Sequence, residues 1–125
     1  MVSPNDRRYA DTHEWHKLEG NHITIGITKF AVDELTDITY VEITKSQQHI
    51  SAGESLGEIE SVKATSDIYS GVDGQVVEVN QEVINDPSIV NRDPYGQGWI
   101  VRITADDPSQ IESLKTAGDY DQSTR

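Results

Sequence analysis

Apolar and polar residues alternate along much of this 125-residue chain. The clearest case is "HITIGIT" (22–28), where isoleucines occupy every second position and polar residues or glycine lie between them. Alternation with a period of two is typical of a β-strand that has one face in the core. We therefore interpret 22–28 as a half-buried strand. Further strands are predicted, from similar patterns bounded by turn residues, at 9–18, 37–43, 55–61, 64–70, 74–80 and 99–104.

Some stretches depart from this alternation. Residues 28–36 ("TKFAVDELT") place apolar side chains at helical spacing behind a threonine that can cap a helix. A C-terminal helix is predicted at about 108–117, with Pro108 early in it and Gly118 as its stop. Residues 81–98 are predicted to be irregular, with one short helical turn.

Together these elements predict one β-domain. Short strands that are separated by turns about every eight to twelve residues are typical of a small barrel or sandwich, and they do not fit a parallel sheet. We assign residues 9–121 to this domain, 1–8 to a loose polar lead-in and 122–125 to a tail. The chain length suits a single domain with a modest core.

Charge and cysteine content narrow the classes of function. The chain has 22 acidic and 10 basic residues, a net charge of −12, and such a surface repels phosphate backbones and anionic lipids. We therefore expect neither a nucleic-acid nor a membrane partner. The chain has no cysteine, which excludes disulfides, thiolate zinc sites and cysteine nucleophiles. Without a signal-like N-terminus or a long apolar run, it is expected to be a cytoplasmic monomer.

Lys63 stands out as a candidate for chemistry. It is the only lysine in the stretch "EIESVKATSDIYSGVDGQV", and it lies where two predicted strands meet. A hairpin tip there would expose its amine between the aliphatic or small neighbours Val62 and Ala64, with Glu60 and Asp67 on either side along the chain. An enzyme that acylates a lysine needs a protruding amine that can lose its proton before attack. Lys63 is therefore a candidate modification site, and an unmodified structural or interaction module is the alternative.

Other motifs in the chain do not indicate a site. In "HEWH" (13–16) the two histidines lack the helical spacing of a zinc pair, and on a strand they would point to opposite faces. "YGQGW" (95–99) has no following helix that could bind phosphate. No serine has the context of a nucleophile elbow. A carboxylate pair such as Glu60 and Asp67 at a hairpin tip lacks the deep pocket of a hydrolase, so we predict no metal site and no catalytic residue.

The segment around Lys63 resembles the attachment site of the glycine cleavage H-protein family of lipoyl carriers. The Glu-Ser-Val-Lys-Ala core of that family corresponds to residues 60–64, and its following glycine to Gly74. Similar stretches occur in family order over roughly residues 9–121: "HEW" (13–15), "ITIGIT" (23–28), "YVEI" (40–43), "AGESLG" (52–57) and "VNRDPYGQGWIVRI" (90–103). Biotin carriers share the fold, but they normally flank the lysine with methionines, and the only methionine here is Met1.

The resemblance implies a mainly β fold, the barrel-sandwich hybrid of lipoyl and biotinyl carriers, with two antiparallel sheets, short helices and a C-terminal helix. It also implies lipoate attached covalently to Lys63. The residues that a lipoylating enzyme would recognise are Glu60, Ser61, Val62, Ala64 and Gly74. From Gly74 we expect a backbone conformation that is closed to β-branched residues. An arm cleft, into which the loaded arm folds away from water, would contain Thr12, Glu14 and Asp67.

The implied partners are a lipoylating enzyme (a lipoate ligase or an octanoyl or lipoyl transferase) and three enzymes of glycine cleavage. Glycine decarboxylase would load an aminomethyl group, aminomethyltransferase would take it over, and dihydrolipoamide dehydrogenase would reoxidise the arm. The protein would be a carrier without catalysis of its own. It departs from the family pattern at 35–37, 43–47 and Gly71, in segments that shape the surface beside the arm. An H-like lipoate-binding protein that carries sulfur for heterodisulfide-reductase-like complexes is therefore an alternative.

Overall fold

Two antiparallel β-sheets and several short helices make up the protein, as given by a computed structural model that describes residues 2–125. The strands are β1 Arg8–Tyr9, β2 Glu14–Glu19, β3 His22–Ile27, β4 Ile38–Ile43, β5 His49–Ile50, β6 Ser55–Ser61, β7 Thr65–Tyr69, β8 Gly74–Val79 and β9 Val101–Ala105. The helices are α1 Lys29–Leu35, α2 Gln81–Asn85, α3 Ser88–Arg92, a 3₁₀ helix Pro108–Ser113 and α4 Ala117–Ser123. The larger sheet has the strand order β1-β2-β3-β9-β8-β5, and the smaller sheet has the order β4-β6-β7. This arrangement confirms the predicted fold class.

Strand β3 is buried on both faces, so the prediction of a half-buried strand was wrong. Ile23 and Ile25 lie in the main core, which residues of both sheets share. On the opposite face, Thr24 lies beside Arg102, and Gly26 is covered by a second apolar cluster of Tyr9, Trp15, Ala117 and Tyr120. A Cβ at Gly26 would lie 2.6 Å from the Trp15 ring, which shows how closely the indole packs on this face. The two ends of the chain thus supply the layer that covers it.

The C-terminal helix differs from the prediction at 108–117. The 3₁₀ helix ends at Ser113, and α4 begins only at Ala117. Its start is fixed by Thr116, whose side chain accepts a hydrogen bond from the Asp119 N–H. Gly118 therefore lies in the first turn of α4 and is not a stop. The capping threonine outweighs the glycine, since it satisfies a backbone donor that the helix leaves free.

The N-terminal segment also differs from the prediction, because its described part is packed and not loose. The backbone N–H and the hydroxyl of Ser3 both donate to the Asp121 carboxylate, at 3.0 and 2.6 Å. The Arg7 guanidinium lies 4.7 Å from the centre of the Trp15 ring. The lead-in is therefore held against α4 and the second apolar cluster.

Three further segments differ from the prediction. The stretch 9–18 is not one strand, since a turn at 10–13 separates β1 from β2. Residues 81–98 contain two short helices and not one turn. Residues 44–54, for which no strand is predicted, include the two-residue strand β5, which pairs with β8. Such short elements carry too few residues to show a period in the sequence.

Candidate functional site

Lys63 lies at the tip of the β6–β7 hairpin, as the pattern predicts. The two strands pair up to Glu60 opposite Thr65, and this leaves 62–64 as the turn. Glu60 is exposed on the small sheet, opposite Tyr40 of β4. The lysine is thus carried by two strands that pack their other face on the core.

Ser61 organises the tip. Its N–H donates to the Ala64 carbonyl at 2.8 Å, and its hydroxyl oxygen accepts from the N–H groups of Lys63 and Ala64 at 3.1 and 3.0 Å. The Val62 N–H donates to the Asp37 carbonyl at 3.1 Å, while its side chain is 70% exposed. The backbone of the tip is therefore fixed, and the side chains of Val62 and Lys63 are left in solvent.

The amine of Lys63 has one weak anchor. Its Nζ donates to the Glu34 carbonyl in the last turn of α1 at 3.2 Å, in an exposed position. The ion pairs found within residues 2–125 do not include Lys63. An exposed hydrogen bond of this kind contributes little, so an approaching enzyme can displace it at low cost.

Glu14, at the start of β2, is a charged residue almost fully withdrawn from solvent, with 1% of its surface exposed. One carboxylate oxygen accepts a hydrogen bond from the Thr12 hydroxyl, and the other accepts from the Tyr69 N–H at 3.0 Å. Burial raises the pKa of the Glu14 carboxyl to about 7, although these two hydrogen bonds lower it in part. The carboxyl can therefore be neutral or charged near pH 7, and a cation beside it would favour the charged form.

Tyr69 joins Glu14 to Asp67. Besides its backbone bond to Glu14, it donates its hydroxyl to the Asp67 carboxylate at 3.2 Å. Asp67 is exposed on β7 and also accepts from the Ser55 hydroxyl at 3.4 Å. Its carboxylate is thus engaged toward the foot of the hairpin and not at the Lys63 amine. Thr12 and Glu14 are thus in direct contact, whereas Asp67 is connected to them only through the two ends of Tyr69.

A pocket of about 280 Å³ adjoins this group. The turn residues Ala10 to Thr12 line one side of it, and Tyr69 to Gly71 line the other. The buried His16 closes the same region, because its Nε2 atom accepts from the Gly71 N–H at 3.0 Å. Burial lowers the pKa of His16 to about 4, so its ring is neutral at pH 7. His16 therefore brings no positive charge to the pocket at pH 7.

The histidines are placed differently from the strand geometry expected for "HEWH". His13 precedes β2 and has a positive φ of 76°, whereas His16 is buried within the strand. Within residues 2–125, no group of three or more His, Asp or Glu side chains is arranged to hold a metal ion.

Gly74 begins β8 and lies outside the Lys63 hairpin, in the larger sheet. The expected special backbone conformation was wrong, since Gly74 is not among the residues of positive φ. The requirement comes from close packing: a Cβ here would lie 2.5 Å from the Thr104 carbonyl oxygen and 3.3 Å from the Ala105 Cα. Any side chain would push β9 away.

Three residues near the site escaped the sequence reasoning. Tyr69 was not singled out, because its contribution is partly a backbone N–H, which leaves no trace in the residue type. His13 and Tyr120 are joined by a hydrogen bond of 2.7 Å across 107 positions of the chain. The one available signal was "TAGD" (116–119), a capping pattern that would have placed Tyr120 on a helix.

Comparisons with known proteins agree on one family. The model of the family described as "Glycine cleavage H-protein" matches residues 7–125. A protein of Carboxydothermus hydrogenoformans named "Glycine cleavage system H protein" is 46% identical over 121 residues, covering 97% of this chain and 93% of that protein. One of the same name from Acinetobacter baumannii is 47% identical over 121 residues, covering 97% and 98%.

A solved structure agrees with these relatives. The crystal structure of a glycine cleavage system H protein from Mycobacterium marinum superposes with a TM-score of 0.88 at 36% identity, over 97% of this chain and 98% of that chain. Within residues 2–125, none of the helices has the length and apolar character needed to cross a membrane.

Proposed function

The chain belongs to the glycine cleavage H-protein family and is a lipoyl carrier of glycine cleavage, and we propose that its covalent lipoate is attached to Lys63. The observation that carries this proposal is the exposed amine of Lys63 at the tip of a hairpin whose backbone is fixed. Such a tip presents an amine to an enzyme without any rearrangement of the core.

Attachment requires an amine that can react and a strand tip that an enzyme can grip. The unprotonated Lys63 amine attacks the carbonyl of an activated lipoyl or octanoyl donor, the leaving group departs, and an amide bond forms. Ser61 holds the turn, and the exposed Glu60, Val62 and Ala64 are the surface that the lipoylating enzyme reads. Gly74 is not part of this surface. It acts indirectly, because it allows the close strand pairing of the larger sheet on which the hairpin packs.

The second element of the proposal is the arm cleft. When attached, lipoate supplies a dithiol that takes up an aminomethyl group and reducing equivalents. The aminomethyl group is a cation at neutral pH, and Glu14 and Asp67 offer it charge-assisted hydrogen bonds. Because Glu14 is almost fully buried, its charge acts in a medium of low dielectric constant, where attraction to a cation is strong. Thr12 orients the carboxylate.

Partners follow from this role. A lipoate ligase or an octanoyl or lipoyl transferase attaches the arm. Glycine decarboxylase, aminomethyltransferase and dihydrolipoamide dehydrogenase then act on it in turn. The protein is a cytoplasmic monomer and a co-substrate without catalysis of its own, with neither nucleic acid nor membrane among its partners. The family match does not favour the alternative role with heterodisulfide-reductase-like complexes.

The test is to locate the modification. The protein is produced in cells that make lipoate and is analysed by intact mass and peptide mapping. We expect one lipoyl adduct, on Lys63, which K63R abolishes. The control K29R removes an exposed lysine that is paired with Asp33 and should keep the full adduct. Biotin, no adduct, or an adduct on Lys29, Lys45 or Lys115 would overturn the assignment.

A further inference from the structure

We infer that Tyr120, in the C-terminal helix α4, is a positioning residue of the arm cleft. Its hydroxyl is hydrogen-bonded to Nδ1 of His13 and to Oγ1 of Thr28, each at 2.7 Å. One buried oxygen atom thus joins α4 to the 10–13 turn and to the N-terminal cap of α1. The inference rests on the proposed function of the cleft. In this role, the C-terminal helix α4 holds Thr12 and Glu14 in place.

The conformation of His13 shows why the turn needs such support. Its φ of 76° lies in a region that residues other than glycine rarely adopt. Its N–H donates to the Ala10 carbonyl, and its carbonyl accepts from the Thr28 N–H, both at 3.0 Å. Its ring packs on Phe30, with 4.7 Å between centroids. Since His13 lies between Thr12 and Glu14 in the chain, this unusual conformation sets the directions of both side chains.

Tyr9 provides a matched comparison for Tyr120. The two buried rings stack on each other, with 4.8 Å between centroids and an angle of 15° between planes. The Tyr9 hydroxyl donates to the Pro4 carbonyl in the N-terminal segment, whereas the Tyr120 hydroxyl contacts the turn. Removing either hydroxyl leaves the stacked rings in place. The variant Y120F therefore removes a hydrogen-bond partner of the 10–13 turn, whereas Y9F does not.

The first readout is the pKa of the Glu14 carboxyl, which is measured by an NMR titration of the full chain. The Thr12 hydrogen bond lowers this pKa, so a turn that no longer holds Thr12 should raise it. We expect Y120F to raise it by roughly half a pH unit, the effect of one weakened hydrogen bond. Y9F should leave it unchanged.

Four titratable side chains in or beside the cleft are uncharged where Glu14 titrates, and the Asp67 carboxylate, which contacts the hydroxyl of Tyr69, is the same in the parent and the variants. The pKa of Tyr69 is raised, chiefly by its hydrogen bond to Asp67, and burial raises that of Tyr120 to about 12. Burial lowers the pKa of His16 to about 4 and also lowers that of His13 from 6.5. All four groups are therefore neutral near pH 7, where Glu14 titrates.

A second variant removes the same link from the other side. In H13G, glycine adopts the positive φ without strain, so the fold is kept while the ring that contacts Tyr120 is lost. We expect the pKa of Glu14 to rise as it does in Y120F. A pKa equal to that of the parent in both variants would overturn the inference. An equal rise in Y9F would also overturn it, because the effect would then come from general loss of packing.

The second readout is the lifetime of the aminomethyl-loaded arm in the absence of any transferase. Y120F and H13G should shorten it by roughly threefold, the effect of one weakened hydrogen bond, and E14Q should shorten it further. If E14Q shortens the lifetime and the other two variants do not, the inference about Tyr120 falls and the cleft stands. If E14Q has no effect, the proposed cleft falls and the inference falls with it.

Discussion

The tip of the hairpin and the proposed arm cleft are built in opposite ways within one small fold. At the tip, Lys63 is exposed and its surroundings are local, since Ser61 and Ala64 supply the hydrogen bonds of the turn. In the cleft, Glu14 is buried, and its partner Tyr69 lies 55 positions away in the chain. The tip needs only a hairpin, whereas the cleft needs the whole domain to assemble. Changes at the tip should therefore act mainly on modification, with little effect on stability, and changes under the cleft should also affect folding and pH dependence.

The largest effect is expected from a substitution that disrupts the larger sheet, because both the hairpin tip and the cleft depend on it. In Gly74→Val, the new side chain meets the Thr104 carbonyl at 2.5 Å and must displace β9 in the larger sheet. We expect the free energy of unfolding to fall by about 3 kcal/mol or more, as for severe overpacking. Urea unfolding measures the loss of stability, and intact mass should show poorer lipoylation in the same sample.

A matched control for this change is Gly118→Ala. A Cβ at Gly118 meets nothing within 4 Å, and alanine is favoured over glycine within a helix by about 1 kcal/mol. The control should be as stable as the parent or more stable. Unchanged unfolding and full modification in Gly74→Val would show that the glycine is incidental.

The buried Glu14 carboxyl should make the free energy of unfolding depend on pH. No such dependence is expected from the hairpin tip. The pKa of Glu14 in the folded protein is about 7, above its ordinary value of 4.5, so between these values the folded state holds a proton that the unfolded state has released. This stabilising contribution is fully present below about pH 4.5 and is lost as the pH rises through 7. His16 acts in the opposite sense, since burial lowers its pKa from 6.5 to about 4. Its contribution destabilises the fold at acid pH and disappears as the pH rises toward 6.5.

These opposing effects are separated by comparing the parent with Glu14→Gln. The parent's advantage in free energy of unfolding over this variant should decrease by about 2 kcal/mol between about pH 5 and pH 7. Urea titrations at a series of pH values measure it, and His16 cancels because both proteins contain it. A difference that stays constant with pH would mean that Glu14 titrates near its ordinary value.

The smallest expected effect belongs to the tip. Ser61→Ala removes the oxygen that accepts from the Lys63 and Ala64 N–H groups, but the site is exposed and water can replace it. We expect a loss of stability of about 0.5–1 kcal/mol or less together with slower lipoylation. Ser66→Ala, on the neighbouring strand, is the control, since its hydroxyl donates only to the Asp67 carbonyl at 3.3 Å. Equal rates of lipoylation for the two variants would show that the order of the turn does not matter.

The contrast between tip and cleft also explains what the sequence could predict. The hairpin follows from alternation over 55–61 and 64–70, a local signal, and the structure places its strands at Ser55–Ser61 and Thr65–Tyr69. The grouping of Thr12, Glu14 and Asp67 came only through family resemblance, because pattern alone does not report contacts between distant segments. The link that Tyr69 makes to Glu14 is partly a backbone contact and left no mark in the sequence.

The chain ends show where local signals mislead. Gly118 suggested the end of a helix, yet it lies in the first turn of α4, which Thr116 caps. The polar lead-in suggested a loose segment, yet Ser3 is 4% exposed and is bonded to Asp121. Both errors have one cause: the second apolar cluster forms only when the two ends of the chain meet around Tyr9 and Tyr120.

The central claim is that an exposed arm on Lys63 is sheltered, when loaded, beside the carboxylates of the buried Glu14 and the exposed Asp67. It is tested most directly by the rate at which protein loaded by glycine decarboxylase releases ammonia and formaldehyde with no transferase present. The double change Glu14→Gln and Asp67→Asn keeps the shape of the cleft and removes its charge. Hydrogen bonds to charged groups contribute about 1.5–3 kcal/mol, so losing even one should shorten the loaded lifetime by at least about tenfold.

The control for that measurement is Glu19→Gln with Glu82→Gln. These exposed acids lie at the other end of β2 from Glu14 and in α2, so the control makes the same change in net charge outside the cleft. The account predicts a lifetime equal to that of the parent for the control and a lifetime at least about tenfold shorter for the cleft variant. Equal lifetimes for all three proteins would contradict it.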